Sequence, residues 1–197
     1  MRFKIFRNIA LGASALFAAA CSDQAIPSGP DAAAAGTQMA PRFLRNGGLV
    51  NVVTWSSDHE KGKYTTSGVI GPDGGSLTIP SADFTITFPA GALSENTTIT
   101  IIAKNGPFVS YEMKPHGIEF ANAVTVTHGL TTVDVPLDVP MFGAYLANDS
   151  DPPENGRVLP TEILQSTTLF DLILGNRVPV TQIWLLNHFS RYILASG

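Results

Sequence analysis

The sequence predicts an all-β fold, a single antiparallel β-sandwich. Apolar residues recur at every second position in three runs, namely Leu77 and Ile79, Phe84, Ile86 and Phe88, and Ile99 and Ile101. This period is typical of strands with one buried face. The 197 residues also include 18 glycines and 14 prolines, which suits a protein of short strands and turns. We therefore expect one core enclosed by sheets.

The N-terminus has the pattern of a secretory signal. Three cations, Arg2, Lys4 and Arg7, precede an apolar segment over residues 9–20. A segment of that length is too short to span a bilayer as a helix but is typical of the central region of a signal peptide. We therefore expect residues 1–20 to be a lipoprotein signal peptide or an ordinary one, and the chain to be exported.

Cys21, the only cysteine, directly follows three alanines. This arrangement resembles a bacterial lipobox, in which the chain is cut before the cysteine and a diacylglycerol is attached to its sulfur. The alternative is an ordinary signal cut at an Ala-x-Ala site, which would leave a free thiol in an oxidising compartment. We favour lipidation of Cys21, because acylation consumes that thiol and anchors the protein to a membrane. Ser22, in place of an aspartate, favours the outer membrane.

The rest of the chain divides into a tether, an arm and a domain. Residues 21–42 carry few aromatic or branched apolar side chains, so they are expected to form a disordered tether behind the lipid. Residues 43–67 are expected to form an N-terminal arm, with a strand or apolar arm over 43–55 and a polar loop over 56–67. Residues 68–197 are the predicted sandwich.

Two segments with proline and glycine mark tight turns in the sandwich. Pro89 ends its strand because proline cannot donate to a ladder, and Gly91 permits a reversal that turns Leu93 inward. Pro115 and Gly117 frame a second turn. The predicted buried core contains Phe84, Ile86, Phe88, Leu93, Ile99, Ile101, Ile118 and Phe120.

Three segments of this block resemble the ZU5 domain, a β-sandwich of ankyrins, netrin receptors, tight-junction scaffolds and death-domain adaptors. They are Gly74-Gly75-x-Leu-x-Ile-Pro80, Phe88-Pro-x-Gly-Ala-Leu93 and Pro115-x-Gly-Ile-x-Phe120. In those proteins the domain binds other proteins or other domains of its own chain. The resemblance, which covers residues 68–130, implies a protein-interaction or structural module with an envelope or extracellular protein as partner.

Beyond residue 130 we expect strands over 132–135, 141–146, 157–165, 168–174 and 180–194. The last of these contains His188-Phe189-Ser190, the triplet at which some ZU5 domains cut their own backbone. Residues two apart on a strand share a face, so His188 could take the proton of Ser190 while the hydroxyl attacks the Phe189 carbonyl. In the alternative, His188, Ser190 and Tyr192 line one face of a terminal strand, and Phe189 and Ile193 fill the other.

Other polar residues indicate no enzyme, metal or cofactor site. His59, His116 and His128 lack the spacing of zinc ligands, and the sequence has no phosphate-binding loop or serine-hydrolase elbow. The loop over 148–156 has three carboxylates but not the spacing of an EF-hand, so we expect a solvated hairpin tip instead of a calcium site. A formal charge of −4 without a basic run argues against nucleic acid as a partner.

Five aromatic residues could form a carbohydrate-binding platform if they were exposed, but aromatics in strands are more often core. They are Trp55, Tyr64, Tyr111, Tyr145 and Trp184. Two functional hypotheses follow. In the favoured one, the chain is a lipid-anchored envelope protein whose sandwich is an interaction or structural module. In the other, the sandwich performs a single-turnover autoproteolysis at His188-Phe189-Ser190.

Overall fold

The computed structural model describes residues 37–39, 48–56, 62–136, 139–147, 155–173 and 175–197. The fold is all-β, as predicted, and the strands form two antiparallel sheets. In chain order the strands are β1 (Thr37–Met39), β2 (Val50–Val52), β3 (Tyr64–Ile70), β4 (Gly75–Ile79), β5 (Phe84–Phe88), β6 (Thr97–Ala103), β7 (Ser110–Lys114), β8 (Glu119–Gly129), β9 (Met141–Leu146), β10 (Arg157–Val158), β11 (Glu162–Ile163), β12 (Ser166–Ile173), β13 (Asn176–His188) and β14 (Arg191–Ser196). A 3-10 turn, Pro80–Ala82, connects β4 to β5.

The strand order distributes neighbouring parts of the chain over both sheets. The first sheet has the order β1-β12-β13-β8-β5-β4. The second has the order β10-β2-β14-β7-β6-β3, and β9 joins it by pairing with both β14 and β11. The chain changes sheet at several connections, among them β3 to β4 and β13 to β14. The last of these places the C-terminal strand inside the second sheet.

The main core lies between the two sheets. Seven of the eight predicted core residues are buried, and Ile118 is half-buried against the same cluster. Phe84 of the first sheet stacks on Tyr111 of the second, with ring centroids 4.2 Å apart. The alternating pattern therefore predicts correctly which side chains of β4, β5 and β6 face inward.

The five aromatic residues considered for a carbohydrate platform belong to this core. Trp55, Tyr111 and Trp184 are buried, while Tyr64 and Tyr145 are half-buried and pack against the buried cluster. The core interpretation of these residues is confirmed.

Both predicted turns are present. β5 ends at Phe88, Gly91 has a φ of +76°, and Leu93 is buried. The segment 115–117 lies between β7 and β8, and Gly117 has a φ of +77°. Glycine tolerates these left-handed conformations at little cost, so the chain can reverse at both places.

A second, smaller apolar cluster lies on the other face of β14. It contains Val50 and Val52 of β2, Phe142, Ala144 and Leu146 of β9, Val158 of β10, and Ile193 and Ala195 of β14. Five strands are paired here in the order β10-β2-β14-β9-β11. The two outer strands, β10 and β11, are separated in the sequence by only residues 159–161. This part of the sheet therefore curls round and encloses the cluster.

Some strand boundaries differ from the predictions. β3 begins at Tyr64, inside the predicted loop over 56–67. It is an edge strand, in which Thr65 and Ser67 are exposed and Thr66 is half-buried. Residues 132–135 contribute an isolated bridge at Val133 in place of a strand. The expected strand over 157–165 is two short strands, β10 and β11. β12 starts at Ser166, two residues before its predicted beginning.

Several predictions concern residues outside the described ranges. These are the signal peptide over 1–20, Cys21, most of the tether, His59 and the carboxylate loop over 148–154. Within the described ranges, no helix has the length and apolar character that a bilayer span requires.

Candidate functional site at the crossing between the sheets

The His188-Phe189-Ser190 triplet lies where the chain crosses from the first sheet to the second. His188 ends β13 and pairs with Glu119 of β8, and β14 begins directly after Ser190. The predicted single strand over 180–194 is therefore wrong, and His188 and Ser190 do not share one strand face. The two sheets enclose the same core. An apolar residue at position 189 would therefore point into that core on a straight strand and also at a corner between the sheets.

Phe189 fixes this corner. Its side chain is 1% exposed and meets Phe88 and Phe120 edge to face, with ring centroids 5.9 and 4.8 Å away. Its N–H donates to the Ile118 carbonyl at 2.8 Å, and its carbonyl oxygen accepts the Gly117 N–H at 3.1 Å. The carbonyl that self-cleavage would attack thus already faces a backbone donor of the kind that stabilises an oxyanion.

The three segments that resemble ZU5 meet beside this corner. Gly74 has a φ of +80°, and a Cβ there would overlap the carbonyl oxygen of Phe88. The Gly91 N–H donates to the Pro72 carbonyl at 2.7 Å. The Phe88 and Phe120 rings pack edge to face at 5.8 Å. Residues far apart in the sequence therefore share one packed region with Phe189.

His188 is bonded to Tyr192 and Glu162, not to Ser190. Its Nδ1 lies 3.1 Å from the Tyr192 hydroxyl, and its Nε2 lies 3.5 Å from a Glu162 carboxylate oxygen. The Tyr192 hydroxyl donates to the His188 carbonyl oxygen at 2.5 Å. Because that hydroxyl has a single hydrogen, Nδ1–H of His188 must donate to the Tyr192 oxygen. The Tyr145 ring packs edge-on against the imidazole at 4.8 Å.

This arrangement does not activate Ser190. A general base needs a lone pair within about 2.6–3.2 Å of the hydroxyl, or one bridging water. Nδ1 of His188 is occupied by Tyr192, and Nε2 faces Glu162. Burial, then the charges of Glu162 and Tyr145, raises the pKa of Tyr192, so its hydroxyl stays protonated as a donor. Proton transfer from Ser190 would require the imidazole to leave both partners.

His128 is a buried structural residue. It lies within β8, with Nδ1 2.6 Å from the Gly129 carbonyl and Nε2 2.7 Å from the Tyr111 hydroxyl. A carbonyl only accepts, so Nδ1 carries a hydrogen and Tyr111 donates to Nε2 of the neutral ring. Burial, with the charge of Asp83 second, raises the pKa of Tyr111 well above its ordinary value.

His116 belongs to a charged cluster around Glu112. The Glu112 carboxylate lies 3.1 Å from Nζ of Lys114, 3.6 Å from Nε2 of His116 and 3.8 Å from Nζ of Lys104. Burial alone would raise the pKa of Glu112, but the Lys114 hydrogen bond and the charges of Lys114, Lys104 and Arg191 together lower it. The cluster neutralises the carboxylate on the outer face of the second sheet.

No three metal-ligating side chains gather among the residues whose placement is described. Sequence reasoning missed Tyr145 and Glu162 as partners of His188, and it placed Tyr192 beside His188 only as a neighbour on one face of a straight strand. Glu162 comes from β11, which reaches His188 only through its pairing with β9. No local pattern predicts that contact. Tyr192 lies four residues after His188 in the sequence, but this spacing indicates a side-chain contact only once the corner between them is known.

Comparisons with known proteins do not assign this chain to a family. A scan against protein-family models found no match, and a search of curated proteins found no matching protein. The ZU5 resemblance therefore stays a prediction from the residues that carry it.

Proposed function

We propose that the chain is a lipid-anchored protein of a bacterial cell envelope, held at the outer membrane through acylated Cys21. The observation that carries this proposal is the N-terminal sequence, in which the sole cysteine follows three alanines, an apolar segment and a cationic start. Each buried methylene of an acyl chain contributes roughly 0.8 kcal/mol, so several chains on one cysteine hold firmly.

In this proposal the sandwich is a ZU5-like module that binds a protein or has a structural role in the envelope. Two features support it. Phe88 and Phe120 of the second and third resembling segments pack with Phe189, and Gly74 of the first lies against the Phe88 carbonyl. The buried histidine at position 128 and the half-buried one at 188 are engaged in hydrogen bonds that stabilise the domain. The outer surface of the sandwich is then the part available to a protein partner.

Metabolic labelling with a fatty-acid probe tests the anchor. We expect the wild-type protein to take up the probe and Cys21→Ser to take up none at the same expression level. Equal labelling of both would refute the anchor. A pulldown from the native envelope, with the detergent-solubilised wild type as bait, then identifies the partner of the module.

Self-cleavage between Phe189 and Ser190 is the second candidate function. The observation in its favour is the corner geometry, where the Phe189 carbonyl accepts the Gly117 N–H at 3.1 Å. In this reaction the Ser190 hydroxyl adds to that carbonyl, the peptide C–N bond breaks as the amine takes a proton, and water hydrolyses the resulting ester. Because His188 must first leave Tyr192 and Glu162, we expect the chain to remain intact.

Intact mass under denaturing conditions decides between the two. Denaturation is needed because residues 190–197 would otherwise stay paired as β14. We expect one species that ends at Gly197. A fragment that ends at Phe189 and disappears in Ser190→Ala would instead establish autoproteolysis.

A further inference from the structure

The hairpin of β12 and β13 extends past the rest of its sheet. β8 pairs with β13 only from Thr181 onward, and β1 pairs with β12 only as far as Thr168. Among the described strands, residues 169–173 and 176–179 therefore pair only with each other. We call this two-stranded segment the ribbon. At about 3.3 Å per residue it reaches roughly 15 Å beyond the sheet.

One face of the ribbon is apolar except for a single cation. Phe170 is paired with Pro179 and Leu172 with Arg177, so these four side chains share a face. Leu172, 77% exposed, is the most exposed large hydrophobic side chain of the described residues. The opposite face carries the Asp171 carboxylate beside Val178, the residue paired with it. The apolar face, and not the whole ribbon, is therefore the part suited to an apolar environment.

Arg177 directs its charge away from the tip of the ribbon. Its guanidinium carbon lies 4.1 Å from the centre of the Phe170 ring, and Phe170 is farther from the tip than Arg177. A cation over an aromatic face gains electrostatic energy, and its stem covers apolar surface. Among the described residues of the ribbon, Leu172 is consequently left as the outermost side chain of this face.

Strand β1 points toward the tip of the ribbon. β1 is antiparallel to β12, with Met39 opposite Ser166 and Thr37 opposite Thr168. Followed from Met39 back to Thr37, the described part of the chain therefore runs along β12 toward the ribbon tip. A segment of 15 residues joins Cys21 to Thr37, and a chain of that length spans at most roughly 55 Å. Both the lipid and the ribbon can thus reach one bilayer.

We propose that the apolar face of the ribbon rests in the bilayer to which Cys21 is attached, as a second contact that orients the sandwich. This inference rests on the proposed function, since the lipid holds the domain at that surface. Laid with this face on the bilayer, the ribbon places Phe170, Leu172 and Pro179 at the boundary between headgroups and acyl chains and keeps the Asp171 carboxylate on the water side. Tethering makes the contact intramolecular, so a small apolar face suffices.

Quenching by lipid-borne doxyl groups tests the contact. Leu172→Cys is labelled with the fluorophore NBD in the full chain, where the acylated Cys21 offers no competing thiol. The protein is reconstituted into vesicles of phosphatidylethanolamine and phosphatidylglycerol in equal parts, with or without doxyl-labelled phosphatidylcholine. Val69→Cys is the matched control, because Val69 is apolar and 64% exposed but lies on β3 of the other sheet.

We expect the fluorescence emission of NBD at position 172 to shift to shorter wavelength and to lose intensity with doxyl lipid. The emission of NBD at position 69 should keep its intensity. Equally weak quenching at both positions, with Cys21 acylated by intact mass, would overturn the contact and leave the anchor standing. The unlabelled Leu172→Cys protein gives a further check. A disulfide between two of its chains, together with no quenching of the labelled protein, would assign the ribbon to a second copy and would also overturn the bilayer contact.

An unmodified Cys21 would refute the anchor separately. The ribbon is then judged in a chain that carries Cys21→Ser and Leu172→Cys, held at the same vesicles by an N-terminal hexahistidine tag on nickel-chelating lipid. Quenching at position 172 in that chain supports the bilayer contact without the native lipid, and its absence refutes the contact.

Discussion

The Tyr111 and His128 side chains form a polar pair inside an aromatic cage. The rings of Trp55, Phe84 and Trp184 lie within 6.1 Å of the imidazole, centre to centre. A hydrogen bond in such surroundings contributes modestly when made, but a buried group left without its partner costs its full desolvation. The pair is therefore the part of the core most sensitive to a change of a single polar atom.

Tyr111→Phe should lower the free energy of unfolding by about 1–3 kcal/mol, because Nε2 of His128 loses its donor. Urea unfolding followed by tryptophan fluorescence measures the change. Tyr145→Phe is the control, since that half-buried ring has a stabilising role through packing, and it should stay within about 0.5 kcal/mol of wild type. Equal midpoints for Tyr111→Phe and wild type would contradict the assignment of Tyr111 as the essential donor.

Phe88→Ala should be the more damaging change, at about 3–5 kcal/mol, because it removes a buried ring that packs against both Phe120 and Phe189. Thr87→Val, an exposed change on the same strand that keeps a β-branched side chain, should be nearly neutral. Thermal unfolding of both variants checks this. A melting temperature of Phe88→Ala within a degree or two of wild type would mean that Phe88 does not fill the core.

Side-chain direction was predictable where neighbours in the sequence decide it. The alternation over 84–88 and 99–101 predicts burial correctly, because successive residues of a strand point to opposite faces. The same alternation places His128 on the face of Val124 and Val126, so its inward direction was also predictable. Its hydrogen bond to Tyr111, 17 positions away in the sequence, was not.

At the scale of elements, β14 connects the two halves of the second sheet. It pairs with β9 along one edge and with β7 and then β2 along the other. Tyr192 and Leu194 face the main core, while Ile193 and Ala195 face the second cluster. The six-residue strand β14 thus contributes to both apolar clusters and completes the backbone pairing of three neighbouring strands.

A chain that ends at Phe189 should fail to fold cooperatively, because β9 loses its link to β7 and both clusters lose residues. Near-ultraviolet circular dichroism and urea unfolding measure this loss. The control is a chain that lacks only Gly197, which is exposed and lies beyond the last strand. A synthetic peptide of residues 190–197 should restore part of the signal. A native spectrum without the peptide would contradict the central role of β14.

The boundaries of elements were harder to predict than their existence. β3 starts inside an expected loop because an edge strand tolerates the polar side chains that are typical of loops. The break between β13 and β14 escapes prediction because Phe189 is apolar and inward-facing in either arrangement. A corner inside a sandwich depends on the positions of Ile118 and Gly117, which bond to Phe189 from another strand connection.

For the molecule as a whole, the cluster around Glu112 should make the free energy of unfolding depend on pH in the acidic range. The pKa of Glu112 is lower in the folded protein than its ordinary value of 4.5. The contribution of Glu112 to the free energy of unfolding is therefore complete above the pKa that this group has in the unfolded chain. It is lost as the pH falls through the pKa of the folded protein. Unfolding free energy measured from pH 6 down to about pH 3 should fall less steeply in Glu112→Gln than in wild type. Glu95→Gln, an exposed change, should keep the wild-type slope, and identical slopes for all three would contradict the prediction.

The position of β14 also sets the order in which this protein can be completed. Synthesis proceeds from the N-terminus, so β2, β7 and β9 all exist before the residues that join them. Until β14 is in place, the second sheet has a gap with two open edges, and such edges readily pair with other chains. A chain of this protein is therefore exposed to mispairing until β14 has formed, and a stop codon before Arg191 would leave it in that state permanently.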